Sequence, residues 1–257
     1  MSVYDHFRKE ERPFVDQVME WKEGVKGRFL HKLTDFLDPR EQQILTSIIG
    51  QDPDVVFSLY GGNENAERKR AFLHPPYLDA TIDDYQLSAY RVHYPHKFVN
   101  LSHRDLLGSM MGLGLKREKF GDILLEEELI QIIVASEIGS YVEANLQSIG
   151  RAQVRLEQVS LNTLMLQKEE WLEKVITASS LRLDVILSEI YQVSRSKIMP
   201  YIESKKVKIN WKLVEQPSFQ LQAGDHISVR GLGRSKLITV QGKTKKDKWR
   251  LDIGLRK

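Results

Sequence analysis

The run of groups best suited to chemistry begins at Ser194-Arg195-Ser196-Lys197, ahead of Ile198, Tyr201 and Ile202 at helical spacing. Ser194 is a favoured N-cap residue, so Arg195 and Lys197 fall in the first helical turn. Cations there oppose the helix dipole, and their position needs another reason. Free backbone N–H groups and two positive side chains at one helix start are the ingredients of a phosphate site. A second, sparser set surrounds a helix that opens at Ser102. His103 and Arg104 stand at its start, and Lys116, Arg117 and Lys119 follow its end. This set is a possible second contact for a polyanion, and solvated surface charge is an equal alternative.

Other reactive residue types form no constellation. Seven histidines are scattered, and His93 and His96 flank Pro95 without an evident third ligand, so no metal site is expected. Glu126-Glu127-Glu128 lies between two strand patterns and reads as a solvated turn, not an acid/base pair. Gly112-Leu113-Gly114 and Gly231-Leu232-Gly233 lack the length and the strand-to-helix setting of a dinucleotide fingerprint. His103-Arg104-Asp105 has the letters of a kinase catalytic loop, but no Gly-rich loop or Asp-Phe-Gly accompanies it. No cofactor and no catalytic residue is expected.

The charge distribution supports an anion-binding end. The chain of 257 residues has a net charge of +3, but the average conceals two unlike parts. From Leu181 onward, 17 Lys and Arg stand against 7 Asp and Glu, a net +10; the first 180 residues carry −7. Part of the excess lies in residues 243–248, which read as a basic tail. An acidic body with a basic end is the asymmetry expected of a protein that meets a polyanion. There is no cysteine, which excludes disulfides and thiolate-bound zinc. The N-terminus is charged and shows no apolar signal core, and the most apolar stretch, 129–135, is too short to span a bilayer. A cytoplasmic protein without a membrane partner is expected.

An α+β chain with three folded parts must position these residues. Residues 1 to about 52 read as helical, with Phe14, Val15, Val18, Met19, Trp21, Val25 and Phe29 on one face. A second helix opens at Asp38-Pro39-Arg40-Glu41, which combines a cap, a proline suited to the first turn and a capping-box Glu; Gly50 ends it. Strands at 54–60 and 68–73 form a short hairpin, closing a mostly helical region over 1–75. Residues 76–165 read as strand 86–93, helix 102–113, strands 120–127 and 129–135, helix 137–149 and strand 152–159. That order is ferredoxin-like, as in RNA-recognition-motif domains. The third strand has no aromatic residue, so base stacking on this sheet is not expected. Residues 166–180 are a connector with a strand near 173–177, and 181–257 form a small basic domain.

That last domain resembles the S-four domain, the RNA-binding module named after small-subunit ribosomal protein four. The residues carrying the resemblance are Arg182-Leu183-Asp184, Leu187, Ser194-Arg195-Ser196-Lys197, Val207-Lys208-Ile209-Asn210 and Gly224-Asp225. It departs from the family at Ser204-Lys205-Lys206, where a glycine is usual. The whole chain is similar to the YlmH family, on Leu101-Ser102-His103-Arg104-Asp105-Leu106-Leu107-Gly108, Gly112-Leu113-Gly114, Lys116-Arg117 and Gly121-Asp122. The resemblance implies binding of structured RNA, ribosomal or transfer RNA, in association with the ribosome. The residues expected to touch it are Arg182, Ser194, Arg195, Lys197, Lys205, Lys206, Lys208, Asn210 and Arg230.

The triplet Arg182-Leu183-Asp184 also resembles the catalytic motif of pseudouridine synthases, whose Asp belongs to a separate β-rich domain. Here it lies inside the S-four helix, so Asp184 is expected to be structural, paired with a nearby arginine. Two other readings stay open: an RNA-modifying enzyme with its site in residues 54–160, and an adaptor whose N-terminal part recruits a protein while the basic end docks on RNA.

Overall fold

The structure, a computed structural model, describes residues 4, 7–28, 30–50, 52–166 and 171–256. The chain divides into two units, Met1–Lys168 and Glu169–Lys257.

In the first unit, α1 (Arg12–Arg28) buries Val15, Val18 and Val25. Phe29, expected on the same face, lies outside the described residues. The chain then forms a strand, β1 (Lys32–Leu37), where the sequence reads as helix. The reason is a bulge. Leu33, Phe36 and Leu37 stand at i, i+3 and i+4, which imitates a helical face, because the pairing register shifts between Leu33 and Phe36. α2 (Pro39–Ile49) opens as the sequence predicts: Glu41 N donates to Asp38 Oδ1 at 2.9 Å and Asp38 N to Glu41 Oε2 at 2.6 Å. β2 (Val56–Tyr60) and β3 (Lys69–His74) complete an antiparallel sheet in the order β1-β3-β2. Val18, Leu45, Ile49, Ala71 and Leu73 form the core between this sheet and the two helices.

The chain continues through β4 (Leu87–His93), α3 (His103–Gly112), β5 (Phe120–Glu126), β6 (Leu129–Ala135) and α4 (Ser136–Asn145). α4 stops four residues earlier than its apolar pattern suggests. A miniature hairpin, β7 (Ser148–Ile149) and β8 (Ala152–Gln153), turns at Gly150 with φ +58, and β9 (Arg155–Val159) then re-enters the sheet. The four main strands are antiparallel in the order β5-β6-β4-β9, so β6 and β4 are central. Leu106, Met110 and Val142 of the two helices pack with Ile130, Ile132 and Phe120 of the sheet. Phe36 of β1 also enters this core. It leaves no room for a side chain on β5: a Cβ on Gly121 would lie 2.8 Å from its ring.

The second unit begins with β10 (Trp171–Ala178), where the sequence reads as a connector with a strand near 173–177. It is an edge strand of the C-terminal sheet, paired along its whole length with the last strand, Trp249–Arg256. Then come α5 (Leu183–Tyr191), α6 (Arg195–Glu203), β11 (Val207–Ile209), β12 (Lys212–Leu213), β13 (His226–Val229), β14 (Gly233–Lys243) and β15 (Trp249–Arg256). The sheet order is β10-β15-β14-β13-β11-β12. Leu183, Ile186, Leu187 and Ile190 of α5 and Ile198 and Ile202 of α6 are buried against Val207, Ile227, Val229, Leu237 and Ile253. Each fully buried side chain of this size contributes roughly 1.5–3 kcal/mol. The lysine-rich stretch that reads as a tail is the β14–β15 hairpin turn, closed by Thr244 N donating to Lys248 O at 2.7 Å. Among the described residues, no helix is long and apolar enough to cross a membrane.

Candidate nucleic-acid interface

The basic residues of the second unit are organised around a buried carboxylate. Asp184 lies in the first turn of α5 with its side chain 1% exposed. Arg182, the N-cap residue of α5, donates Nε to Asp184 Oδ1 at 3.0 Å and Nη2 to Oδ2 at 3.2 Å. Arg195, at the start of α6, donates Nε to the same Oδ2 at 3.1 Å, and its Nη2 donates there as well. Burial pushes the Asp184 carboxyl up, but the hydrogen bonds and charges of Arg182 and Arg195 outweigh it, so it titrates below its ordinary value. The side chains of Arg182 and Arg195 are 39% and 57% exposed. One carboxylate therefore orients two cations that still face solvent, and the trio keeps a net positive charge.

This arrangement alters the expectation for Arg195. Its guanidinium is committed along one edge to Asp184, so any phosphate must meet the remaining edge. Ser194 occupies the N-cap position of α6, but its hydroxyl pairs with Ser196 Oγ at 2.9 Å instead of a backbone N–H. Lys197 is exposed in the first turn, with its backbone N–H on Ser194 O at 2.9 Å.

A second group gathers where α6 ends. Lys205, in the stretch where the family usually has glycine, takes φ +60, a left-handed backbone that glycine would adopt without strain. Its ammonium stands 3.9 Å from Glu215. Lys206 reaches over the Tyr201 ring, 5.4 Å from the centroid, and its carbonyl accepts Arg230 N at 2.8 Å. Lys208 is exposed on β11. Asn210 is held within the turn. Its Nδ2 donates to Asp225 Oδ1 at 2.8 Å and its Oδ1 accepts His226 N at 2.9 Å, which pins the turn after β11. Nine residues of helix separate the Arg195 group from the Lys205 group, about 13 Å at 1.5 Å per residue.

The second candidate set is not brought together. Arg117 donates to Phe120 O at 2.6 Å, and burial lowers its guanidinium to about 10. It holds the start of β5. Lys119 is drawn inward to Asp35 at 2.7 Å and Glu137 at 2.5 Å. Lys116 lies 3.5 Å from Glu118, and His103 and Arg104 are exposed at the opposite end of α3. A cavity of about 420 Å³ opens beside Lys119, Asp35, Glu137 and Arg70. Arg70 is buried and donates to Thr34 O at 2.7 Å, and its Nη2 lies 3.6 Å from Glu137. The two carboxylates and two cations neutralise one another.

Sequence reading missed an aromatic group on the C-terminal sheet. Trp211 stacks on His226 at 5.3 Å with planes inclined by 25°, and Trp171 meets the same imidazole edge-on at 5.8 Å. The signal was present in the turn sequence Asn210-Trp211 between two short strands.

Comparison with known proteins matches three family models along the chain. They are "YlmH, N-terminal" over residues 10–78, "Putative RNA-binding domain in YlmH" over 80–163 and "S4 domain" over 181–227. A protein of Bacillus subtilis named "Ribosome-associated protein quality control protein P2" is 46% identical over 250 residues, 97% of each chain. A solved structure titled "Cell division protein ylmH from Streptococcus pneumoniae" is 32% identical with a TM-score of 0.53, covering 63% of this chain and 98% of that one.

Proposed function

Since the chain belongs to the YlmH family, we propose that it is a ribosome-associated protein that binds structured RNA through its C-terminal S4 domain without catalysing a reaction. The observation that carries this reading is the Asp184 clamp. Two half-exposed arginines fixed by one buried carboxylate, with Lys197 exposed in the same first turn of α6, form a cationic surface. Paired RNA offers little readable sequence in its deep groove, so such a surface recognises backbone and shape. The relative from Bacillus subtilis is named for the ribosome, which supports ribosomal RNA, or transfer RNA on the ribosome, as the ligand. That association also supports a cytoplasmic location.

The mutual neutralisation of Asp35, Glu137, Lys119 and Arg70 favours binding over catalysis. Glu137 is held below its ordinary value and Lys119 above it, the latter by hydrogen bonds to Asp35 and Glu137 against the opposing effect of burial. Neither is poised to exchange protons near neutrality. Candidate contacts are Arg182, Arg195, Lys197, Lys205, Lys206, Lys208 and Arg230, with Asp184 and Asn210 as positioning residues. Crosslinking in cells followed by sequencing of the bound RNA tests the reading. Enrichment of ribosomal or transfer RNA, lost when Arg182 and Lys197 are both changed to Gln, is the expected result. Equal recovery from both proteins would refute it.

A further inference from the structure

The six-stranded sheet buries one face against α5 and α6, and its other face carries chemistry that the clamp does not use. Ile227, Val229, Leu237 and Ile253 point into the core, so alternation sends His226, Ser228, Lys236 and Gly254 to the outer face. The register places His226 opposite Lys236, Lys236 opposite Gly254, and Lys208 opposite Ser228. Trp171 lies across Gly254, where an added Cβ would meet the indole at 3.1 Å. The outer face thus presents Trp171, His226 and Trp211 beside Lys208 and Lys236. Glu173 lies opposite Gly254, and Asp225, which holds Asn210 at 2.8 Å, is a second carboxylate near the ring.

The backbone under Trp211 is the informative part. Asn210 and Trp211 take φ +48 and +63, the two left-handed positions of a tight hairpin turn between β11 and β12. The second position normally holds glycine, because a bulky side chain there is strained. Here it holds an indole, although Asn210 bonds to Asp225 and His226 make the turn rigid without it. An indole kept only for packing would sit on relaxed backbone and be buried. Trp211 is on strained backbone and partly open to solvent, with His226 supporting it. Strain that persists at an exposed residue points to function.

We propose that Trp211, backed by His226 and flanked by Lys208 and Lys236, is a stacking platform for an unpaired nucleobase, on the opposite side of the sheet from the helices that carry the arginine clamp. The chemistry fits one class of ligand. Every base offers a π-face to an indole whatever its sequence, and lysines beside the ring neutralise the flanking phosphates. Duplex RNA hides its bases in the stack, so the platform would select RNA with a loop, bulge or single-stranded end. This proposal rests on the RNA-binding reading above and adds a distinction that the clamp cannot make.

The test compares the full-length protein with Trp211→Asn and Trp211→Phe. Asparagine tolerates left-handed backbone, so Trp211→Asn should melt no lower than the parent. Each protein is titrated, over a range of salt, with a blunt RNA duplex and with the same stem bearing an unpaired loop. Stacking on one base corresponds to roughly 5- to 150-fold in affinity. Trp211→Asn is expected to weaken loop binding by that range, to leave duplex binding within twofold and to leave the salt slope unchanged. Trp211→Phe should recover most of the affinity, with the loop-induced quenching of indole emission reduced. Unchanged loop affinity in Trp211→Asn, with salt-dependent duplex binding intact, overturns the platform and leaves the clamp standing. Equal weakening towards both RNAs also overturns it. Failure of the parent protein to bind either RNA overturns both the platform and the RNA-binding reading.

Discussion

Changing Asp184 to Asn separates positioning from charge, because the two predict opposite signs. The substitution removes one negative charge from a domain that should meet a polyanion. If attraction were diffuse, binding would tighten and its salt dependence would steepen. The geometry predicts the reverse. Asp184 accepts hydrogen bonds from Arg182 at 3.0 and 3.2 Å and from Arg195 at 3.1 Å. An Asn offers one acceptor in place of two and turns an N–H₂ group towards a guanidinium. Both arginines then recover rotamer freedom, which is worth up to about 2 kcal/mol for a whole side chain. Loss of about 1–2 kcal/mol of preorganisation would weaken RNA binding roughly 5- to 30-fold.

Stability should fall as well, by about 1–3 kcal/mol, because a buried acceptor of charge-assisted bonds is lost while its partners are partly resolvated. The pH dependence carries its own sign. The folded Asp184 carboxyl titrates below its ordinary value, so its contribution is present above the unfolded value of about 3.9 and is lost as pH falls through the lowered one. Parent and variant should therefore differ in thermal stability at pH 7, and the difference should be smaller at pH 3. Fluorescence anisotropy with labelled ribosomal RNA at fixed salt, beside melts at pH 7 and pH 3, measures both effects. A folded Asp184→Asn protein that binds as tightly as the parent, or more tightly, would refute the positioning argument.

Two further perturbations follow from the same structure. Arg195→Gln with Lys197→Gln should reduce the slope of log affinity against log salt by about 1.4 to 1.8, one phosphate for each residue; Lys245→Gln with Lys246→Gln, in the β14–β15 turn, should reduce it less, and equal losses would mean that binding is diffuse. In the first unit, Gly121→Ala would bring a methyl group within 2.8 Å of the Phe36 ring, which is 1% exposed and cannot retreat. The expected overpacking cost of about 1–3 kcal/mol should lower the melting temperature by several degrees while leaving RNA affinity unchanged.

Much of the architecture was legible where a local rule acted alone. Asp38-Pro39-Arg40-Glu41 specifies a helix start by side chains three residues apart, and the structure contains those bonds. Ser102 and Asp105 behave the same way. Legibility failed where distant chain segments decide the outcome. Lys32–Leu37 carries a helical spacing of apolar residues because a bulge displaces the alternation, and the bulge exists only through pairing with β3. A strand near 173–177 was legible, but its place as the edge strand of the C-terminal sheet was not, because its partner lies more than seventy residues further along the chain. The lysines after β14 read as a tail because the turn that closes on Thr244 is defined by pairing with β15.

The site shows the same division. That Asp184 would pair with an arginine follows from Arg182, two residues away. That it also captures Arg195, eleven residues on, depends on how α5 and α6 pack. Arg117 and Lys119 reverse the error, since cations expected at the surface are committed, Arg117 locally to Phe120 O and Lys119 by tertiary contact to Asp35 and Glu137.

Lys205 and Trp211 share an anomaly that links stability to the proposed interface. Both adopt left-handed backbone where glycine is the relaxed choice, at a cost of roughly 1–2 kcal/mol each. Together they consume a sizeable part of the 5–15 kcal/mol that typically separates folded from unfolded chains. Neither is offset by the contacts of its own side chain alone. Lys205 is exposed, and its 3.9 Å contact with Glu215 is a surface ion pair, which contributes little. Trp211 gains one stacked imidazole but leaves part of its ring in water. Such strain is carried by the rest of the fold, here by the pairing of β11 and the bonds of Asn210, and residues that keep it cluster where ligands are held. The two anomalies lie at opposite ends of β11, the strand that also carries Lys208, and each offers a group suited to RNA: a cation for phosphate and a ring for a base. Left-handed non-glycine residues also occur at Gln86, Glu127, Gln192 and Asp247, but among the described strands only β11 has them at both of its ends, where they present a cation and a ring, and that placement supports a ligand on this strand.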